Sequence, residues 1–223
     1  MKFKLTKEEK SWVLYDVGNS AFVLLVSTIF PIYFNSLSEK AGLTSVDYLA
    51  YWGYATSFAT LIVMLLGPAL GRLSDGKSRR KTFFLISILI GAAGCALLGF
   101  TASWLVFLII FIIAKAGHSM SLIFYDSMLS DITSEERMDN VSSQGYAWGY
   151  IGSCIPFVIS LALVLGADKI GISMSTAMMI AFIICAVWWI GVSMPLIKTY
   201  HQPQKQQAQK SNVFGEIRKI LCE

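Results

Sequence analysis

The densest charge cluster of this 223-residue chain is Gly71-Arg72-Leu73-Ser74-Asp75-Gly76-Lys77-Ser78-Arg79-Arg80-Lys81. Five of its eleven residues are Lys or Arg, one is Asp, and long apolar segments precede and follow it. A basic cluster between two segments of membrane-spanning length marks the side of the bilayer that stays in the cytosol. This stretch therefore fixes the orientation of the two neighbouring segments, and with them the rest of the chain.

The composition predicts that the chain lies in a membrane rather than in water. Hydrophobic residues make up 55% of it, charged residues only 14%, and the mean hydropathy is +0.61. A soluble domain carries about 25% charged residues, which leaves a soluble helical bundle as a remote alternative. The net charge of +4 comes from basic residues in a few loops, so no nucleic-acid partner is expected. The four cysteines lack metal-ligand spacing, and neither a metal nor another cofactor is expected.

Six apolar segments are long enough to cross a bilayer as helices, which takes about 20 residues. They run approximately over residues 12–34, 48–70, 82–100, 104–130, 141–165 and 172–197. The first segment contains Asp16 and Asn19 and lacks a small-residue cleavage site, so we interpret it as an uncleaved span rather than a signal peptide. The expected fold is all-α, with six transmembrane helices in one bundle.

The distribution of basic residues orients these six spans. The side that holds both termini and residues 71–81 carries fifteen Lys and Arg residues, against two on the opposite side. Both termini are therefore predicted to be cytosolic. Residues 1–197 are expected to form the transmembrane bundle. Residues 198–223 are expected to form a cytosolic linker, whose polar beginning leads into a short amphipathic helix after Ser211.

The basic loop also carries a family resemblance. It resembles the signature between spans two and three of the major facilitator superfamily, which is Gly-x-Leu-Ala-Asp followed by basic residues around a glycine. The matching residues are Gly71, Leu73, Asp75, Arg79 and Arg80. Gly76 stands where a basic residue is usual, and Ser78 stands where glycine is usual. The resemblance implies that Gly71, Asp75, Arg79 and Arg80 form a conformational latch, called the predicted latch below; a plain topogenic loop is the alternative.

The beginning of the chain resembles one branch of that superfamily. Residues 11–22, SWVLYDVGNSAF, with FPIYF at 30–34 closing the span, are similar to the vacuole effluxers, which include autophagy-related amino-acid permeases and bacterial relatives. Superfamily members normally have twelve spans in two six-helix bundles, each built from two inverted three-helix repeats. The resemblance therefore implies an N-terminal half, whose partner would be a C-terminal six-helix half or a second copy of this chain.

Polar residues inside two spans are candidates for substrate binding or ion coupling, because such residues are costly in a bilayer. At helical spacing they form one face in each of spans one and four. These faces comprise Asp16, Asn19, Ser20, Val23 and Ser27, and Lys115, His118, Leu122 and Asp126. Lys115 is a candidate to bind a substrate carboxylate, and Asp16 or Asp126 to carry a proton. The alternatives are ion pairing near the interface for the two aspartates, with Arg79 or Arg80 as candidate partners, a structural ion pair for Lys115 and simple packing for His118.

Small residues of span five form a further feature. Gly145, Gly149 and Gly152 repeat at helical spacing and predict a face for close helix contact. Because spans two and five meet the other half in the superfamily, this face is expected to meet lipid or a second copy here. Gln144 and Trp148 lie beside the glycines and are candidates to reach the central cavity.

These features together predict a secondary active transporter of the alternating-access type, present as its N-terminal half. Its cargo would be a small polar solute, and the resemblance implies amino-acid export across a bacterial plasma membrane. The sequence shows no nucleotide motif, nucleophile–base pair or metal cluster, so an enzyme is not expected. A membrane scaffold or sensor that uses the same fold without transport is the alternative.

Overall fold

The computed structural model describes residues 4–75 and 79–203. Within those ranges the chain folds into seven α-helices and one 3-10 helix, without a β-strand. The helices are α1 (Lys7–Ser27), α2 (Ile29–Lys40), α3 (Ser45–Asp75), α4 (Arg80–Leu98), α5 (Trp104–Ile132), α6 (Glu135–Leu165) and α7 (Met174–Thr199), with the 3-10 helix at Ala167–Ile170. The expectation of an all-α fold is confirmed.

The first span consists of two helices, α1 and α2, which are interrupted at Thr28. Thr28 leaves the helical conformation, with φ −131° and ψ −73°, and its hydroxyl donates to the Leu24 carbonyl at 2.5 Å. Pro31 follows three residues later. Because proline lacks an amide hydrogen and its ring clashes with the carbonyl four residues earlier, an unbroken helix is disfavoured here. The sequence analysis predicted the span without this interruption, and residues 7–40 form one candidate span.

The helices also extend further than the apolar segments from which they were predicted. α1 begins at Lys7 because the Thr6 side chain and Glu9 form a capping box, in which each accepts from the other's backbone amide. The predicted loops at 35–47 and 131–140 shorten to residues 41–44 and 133–134. Charged residues occupy the ends of these helices, so hydropathy alone underestimates the helix lengths. A helix continues beyond the apolar layer as long as its backbone hydrogen bonds are made.

The core of the bundle lies where α1 packs against α6 and α7 and where α4 packs against α5. Aromatic side chains from four helices meet there, and the largest fully buried ones include Phe22, Phe30, Phe111, Phe182 and Trp189. Their rings contact one another mostly edge to face, as with Phe30 and Phe182, whose centroids are 4.8 Å apart. This aromatic core fixes the rotation of α1 and α5, the two helices that carry the candidate polar faces.

The outer surface is apolar, as a bilayer requires. Six segments of the described chain are long and apolar enough to cross a membrane. α3 is the least enclosed of these, with Tyr54, Phe58 and Met64 each more than half exposed. The expectation of six spans is therefore confirmed, whereas their cytosolic or external orientation stays a prediction. The predicted amphipathic helix after Ser211 lies outside the described residues.

Candidate functional site

A cavity of about 460 Å³ opens between α1, α5 and α6. It lies in the half of the bundle that contains the beginning of α1. Because the N-terminus is predicted to be cytosolic, this half is called the predicted cytosolic end below. Its lining is polar and aromatic rather than aliphatic. The lining residues are Trp12, Asp16, Asn19, Ser20, Val23, Leu122, Tyr125, Asp126, Leu129, Ser142, Tyr146 and Tyr150. Parts of the two faces predicted on spans one and four thus meet in one cavity: Asp16, Asn19, Ser20 and Val23 of the first face, and Leu122 and Asp126 of the second.

Two carboxylates lie in this cavity, Asp16 on α1 and Asp126 on α5. The Asn19 amide donates to Asp16 Oδ1 at 3.0 Å and to the Tyr15 carbonyl at 3.2 Å, which orients the half-buried Asp16 side chain. Asp126 is exposed. Among the residues that the structure describes, no Lys, Arg or His lines the cavity. The site therefore presents two acidic groups without a basic side chain between them.

Glycines of α6 hold Asp16 in place through close packing. A methyl group on Gly149 would lie 3.2 Å from Asp16 Oδ2, and one on Gly152 would lie 2.3 Å from a Val17 methyl carbon. All three predicted glycines thus face α1, since a Gly145 methyl would meet the Trp12 ring at 2.8 Å. The expectation that this face meets lipid or a second copy was wrong, because helices α1 and α6 approach too closely for any larger residue.

Trp12 and Tyr125 form the wall of the cavity nearest the predicted cytosolic end. Their rings stack with centroids 4.2 Å apart, and Trp12 Nε1 donates to the Tyr125 carbonyl at 3.0 Å. The Tyr125 side chain is buried, and its hydroxyl has no hydrogen-bond partner in residues 4–75 and 79–203. Behind this wall the Tyr15 hydroxyl and Ser121 hydroxyl share a hydrogen bond at 2.6 Å. The pairing of α1 with α5 is thus specified by polar contacts as well as by apolar packing.

Lys115 and His118 are placed outside this cavity. His118 is buried between aromatic rings, with its centroid 4.9 Å from that of Phe22 and 5.4 Å from that of Trp189. The ring contacts agree with the packing alternative for His118, although its buried Nε2 has no hydrogen-bond partner among the described residues. Lys115 is half-buried on α5, about two helical turns from Leu122, which is the nearest lining residue of the same helix along the chain.

Gln144 and Trp148 are not among the lining residues, and their positions on α6 explain this. Residues of a helix are separated by about 100° of rotation, so Tyr146 lies about 200° from both of them, across the glycine face. The cavity instead contains Ser142, Tyr146 and Tyr150. Sequence reasoning missed these three, although their spacing of four residues is a helical-face signal.

An ion-pair cluster closes the predicted cytosolic end beside α3 and α4. The Arg80 side chain, only 7% exposed, pairs with both Asp75 and Asp131 and donates to the Ser127 carbonyl at 3.0 Å. Asp131 is 3% exposed, whereas Asp75 is 57% exposed. Arg80 thus links the ends of α3 and α5 to the beginning of α4. It does not pair with Asp16 or Asp126, the partners considered from sequence.

The chain after α7 joins the same cluster. The Tyr200 hydroxyl donates to Asp131 at 2.6 Å, and Gln202 accepts from the Arg80 amide at 3.0 Å while donating to the Ser74 carbonyl at 3.2 Å. Burial, and next the hydrogen bond to Asp131, raise the pKa of Tyr200 above its ordinary value, which keeps the hydroxyl protonated as a donor. The start of the predicted linker is therefore fastened to the bundle.

A second ion pair fastens the beginning of α1. Arg137 binds Glu9 with both ends of its guanidinium, Nε to Oε1 at 2.8 Å and Nη2 to Oε2 at 2.7 Å. The Thr133 hydroxyl also donates to Glu9 at 2.7 Å. Two parallel charge-assisted bonds of this kind define orientation as well as distance. The short connection between α5 and α6 is thereby held against α1, below the cavity.

Comparison with known proteins identifies the architecture. The profile of the Major Facilitator Superfamily matches residues 17–222, which is most of the chain. The chain belongs to the Major Facilitator Superfamily. It is 41% identical over 207 residues to the "Uncharacterized MFS-type transporter YxiO" of Bacillus subtilis (strain 168). The match covers 91% of this chain and 48% of YxiO, so the chain spans about half the length of that relative. No solved structure matches the chain.

Membership of the superfamily gives the six apolar helices a context. The chain is an integral multi-pass membrane protein of a transporter family rather than of an enzyme family. Within the superfamily signature loop, Asp75 and Arg80 belong to the ion-pair cluster, whereas Arg79 is exposed and Gly71 has open space beside it. The predicted latch thus has two of its four residues, Asp75 and Arg80, in one bonded network.

Proposed function

We propose that this superfamily member is the N-terminal half of a secondary active transporter that carries a small polar solute by alternating access. The polar cavity between α1, α5 and α6 carries the proposal, because Asp16, Asn19 and Asp126 converge there in an otherwise apolar bundle. Ionisable groups within membrane helices are costly, and they mark substrate or ion pathways. A volume of about 460 Å³ lies in the usual range for small-molecule sites.

The remaining partners follow from the length of the relative. Because the chain spans about half of YxiO, the complete transporter contains either a C-terminal six-helix half or a second copy of this chain. The vacuole-effluxer resemblance of residues 11–34 supports amino-acid export as the first activity to assay. The Bacillus relative supports a bacterial plasma membrane as the location.

The residues divide into binding and gating groups. Asp16, Asn19 and Asp126 contact the solute or the coupling proton, and Tyr146 and Tyr150 complete the α6 wall of the site. Lys115 lies deeper along α5, outside the cavity, and would bind a solute that has moved past the cavity. His118, Gln144 and Trp148 also do not line the cavity, and they are candidates for indirect effects on solute binding. A second group, Asp75 and Arg80, stabilises one orientation of the bundle, with Gly71 and Arg79 as the remaining residues of the predicted latch.

Transport by the intact protein in proteoliposomes tests the proposal. We expect an imposed pH gradient to drive uptake of at least one amino acid, and Asp126→Asn or Asp16→Asn to abolish it without loss of folded protein. Asp168→Asn is the matched control, because Asp168 is an exposed carboxylate in the 3-10 helix, outside the cavity. If both Asp16→Asn and Asp126→Asn transport the amino acid at the wild-type rate, the cavity is not the transport site. Absence of gradient-driven flux of any solute would favour the scaffold or sensor alternative.

A further inference from the structure

The charge of the cavity is not balanced by protein. Asp16 and Asp126 both line it, and no Lys, Arg or His does so in the described ranges 4–75 and 79–203. The nearby arginines are engaged elsewhere, since Arg80 pairs with Asp75 and Asp131 and Arg137 pairs with Glu9. Carboxylates in a membrane bundle are either protonated or paired with a positive charge. In their ionised state, Asp16 and Asp126 can therefore receive a cation from outside the chain.

The rest of the lining distinguishes among cations. Four aromatic side chains, Trp12, Tyr125, Tyr146 and Tyr150, share the cavity with the carboxylates. A metal ion such as Na⁺ is bound by a shell of oxygen ligands, and ring faces contribute nothing to such a shell. An ammonium group gains from both surroundings, because carboxylates accept its hydrogens and the exposed rings of Tyr146 and Tyr150 can attract its charge. The lining therefore favours an organic cation over a metal ion.

The Tyr125 hydroxyl supplies independent support. The Tyr125 side chain is 3% exposed and lines the cavity, yet its hydroxyl has no hydrogen-bond partner within the described chain. Buried polar groups are nearly always paired, so an orphaned hydroxyl at a cavity wall points to a missing ligand. The Tyr125 hydroxyl and Asp16 Oδ2 lie 3.5 Å and 3.4 Å, respectively, from the position of a methyl carbon built on Gly145, so both oxygens border the same space beside α6. It is thus placed beside the α1 carboxylate as a further acceptor for a donor that both could share.

We propose that the solute carries an organic ammonium group, and that this group binds in the cavity with Asp16, Asp126 and the Tyr125 hydroxyl as its acceptors. The proposal rests on the proposed transport function and specifies the substrate class of the same site. The α-ammonium group of an amino acid meets this requirement. A carboxylate group does not meet it, because the described lining contains no positively charged side chain that could bind a carboxylate. An amine that lacks a carboxylate should therefore bind as well.

Solutes of equal length and different charge provide the binding test. Calorimetric titration of the purified intact protein, at fixed ionic strength, compares cadaverine with 1,5-pentanediol and glutarate, and adds tetraethylammonium and Na⁺ as further cations. We expect cadaverine to bind, pentanediol and glutarate not to bind, and tetraethylammonium, which has no N–H to donate, to bind more weakly than cadaverine. Failure of cadaverine to bind overturns the proposal. Equal competition by Na⁺ at the same concentration also overturns it, in favour of a metal-cation site.

Substitutions locate the binding. Asp16→Asn and Asp126→Asn should each weaken amine affinity roughly ten- to hundredfold, as expected for loss of a hydrogen bond to a charged group. Asp168→Asn, the matched control, should leave the affinity unchanged. An unaltered affinity in both cavity variants places the amine elsewhere and overturns the proposal.

Tyr125→Phe separates ligand binding from a structural role. Because the hydroxyl has no partner in the described protein, its removal should leave the thermal unfolding midpoint of the empty protein unchanged or slightly higher. Amine affinity should fall roughly ten- to hundredfold, the range for one hydrogen bond with a charged donor. A lower unfolding midpoint with unchanged affinity would assign the hydroxyl to folding and contradict its part in the site.

Transport of the same solutes distinguishes this inference from the proposed function. If a gradient drives transport of glutarate or pentanediol but of no amine, the proposed transport function is supported and the proposed ammonium site is contradicted. Amine binding without transport of any solute would retain the site and remove the transport function. Transport of an amine that Asp16→Asn abolishes would support both.

Discussion

The cavity and the ion-pair cluster each contain two aspartates, but their surroundings differ. In the cluster, Arg80 pairs with both Asp75 and Asp131. In the cavity, Asp16 and Asp126 share a space that no described basic side chain enters. The comparison teaches that residue type alone does not separate a structural acid from a functional one. The separation comes from whether the fold supplies the opposite charge.

The energetic consequences of the two arrangements differ accordingly. A buried ion pair is strongly destabilised when one partner is removed, because the other charge remains desolvated and unpaired. An acid without a cationic partner in the protein has no ion pair to lose, so its neutralisation should affect ligand binding rather than folding. Stability and transport measurements on matched variants can therefore test the difference between the two regions.

The largest effect on stability is expected from Arg80→Gln. This change leaves Asp131, whose side chain is 3% exposed, without its cation. We expect the free energy of unfolding to fall by about 3 kcal/mol, measured by thermal or denaturant unfolding in detergent. Arg79→Gln is the matched control, since Arg79 is adjacent and exposed, and its effect should stay within about 0.5 kcal/mol. Equal losses in the two variants would contradict the special role of Arg80.

An intermediate effect is expected where glycines position the cavity acid. Gly152→Ala would bring a methyl group to 2.3 Å from Val17 and force α1 and α6 apart. Such overpacking costs about 1–3 kcal/mol, and it should also reduce transport by shifting Asp16. Gly191→Ala has open space in α7 and should be neutral or stabilising by about 0.5–1 kcal/mol. A Gly152→Ala protein as stable and active as wild type would show that α6 does not position the site.

A smaller effect distinguishes the two acids within the cluster. Asp75 is 57% exposed, and an exposed ion pair contributes about 0–1 kcal/mol. Asp75→Asn should therefore reduce the free energy of unfolding less than Asp131→Asn, which removes the buried partner of both Arg80 and Tyr200. Unfolding midpoints of the two variants provide the comparison. The reverse order would mean that the exposed acid of the signature loop dominates the cluster.

The smallest effect on stability should accompany the largest effect on function. Asn has nearly the shape of Asp, and neither Asp16 nor Asp126 has a basic partner among the described residues. Asp16→Asn and Asp126→Asn should change the free energy of unfolding by no more than about 0.5 kcal/mol, while transport by the intact protein is lost. A loss of stability similar to that of Arg80→Gln would show that Asp16 and Asp126 stabilise the fold as the acids of the ion-pair cluster do. The difference between the two regions would then not exist.

Much of this site was predictable because helical spacing is a local property. Asp16, Asn19 and Asp126 were found from their positions on two helical faces, and the structure brings all three into one cavity. Tyr146 and Tyr150 were missed because tyrosine in an apolar span resembles a packing residue. Gln144 and Trp148 do lie beside the α6 glycines that pack against α1. The rotation of α6 about its own axis, which those contacts set, directs Tyr146 and Tyr150 into the cavity instead.

Long-range pairs were beyond the reach of the sequence. Glu9 and Arg137 are separated by 128 residues, and Arg80 and Asp131 by 51. Many combinations of opposite charges at the predicted cytosolic end were compatible with the loop composition. Only the packed positions of the helix ends select these two pairs, and they also bring Tyr200 and Gln202 onto the bundle.

The sequence by itself determined the membrane environment, the all-α class and the six spans, because the length and polarity of a segment are sufficient to decide whether it crosses a bilayer. The tertiary structure decided which polar faces meet, which acids receive a cation and where the first span is interrupted. These outcomes depend on the rotation of each helix about its axis. That rotation is set by close contacts such as those of the α6 glycines with α1, which no single segment contains.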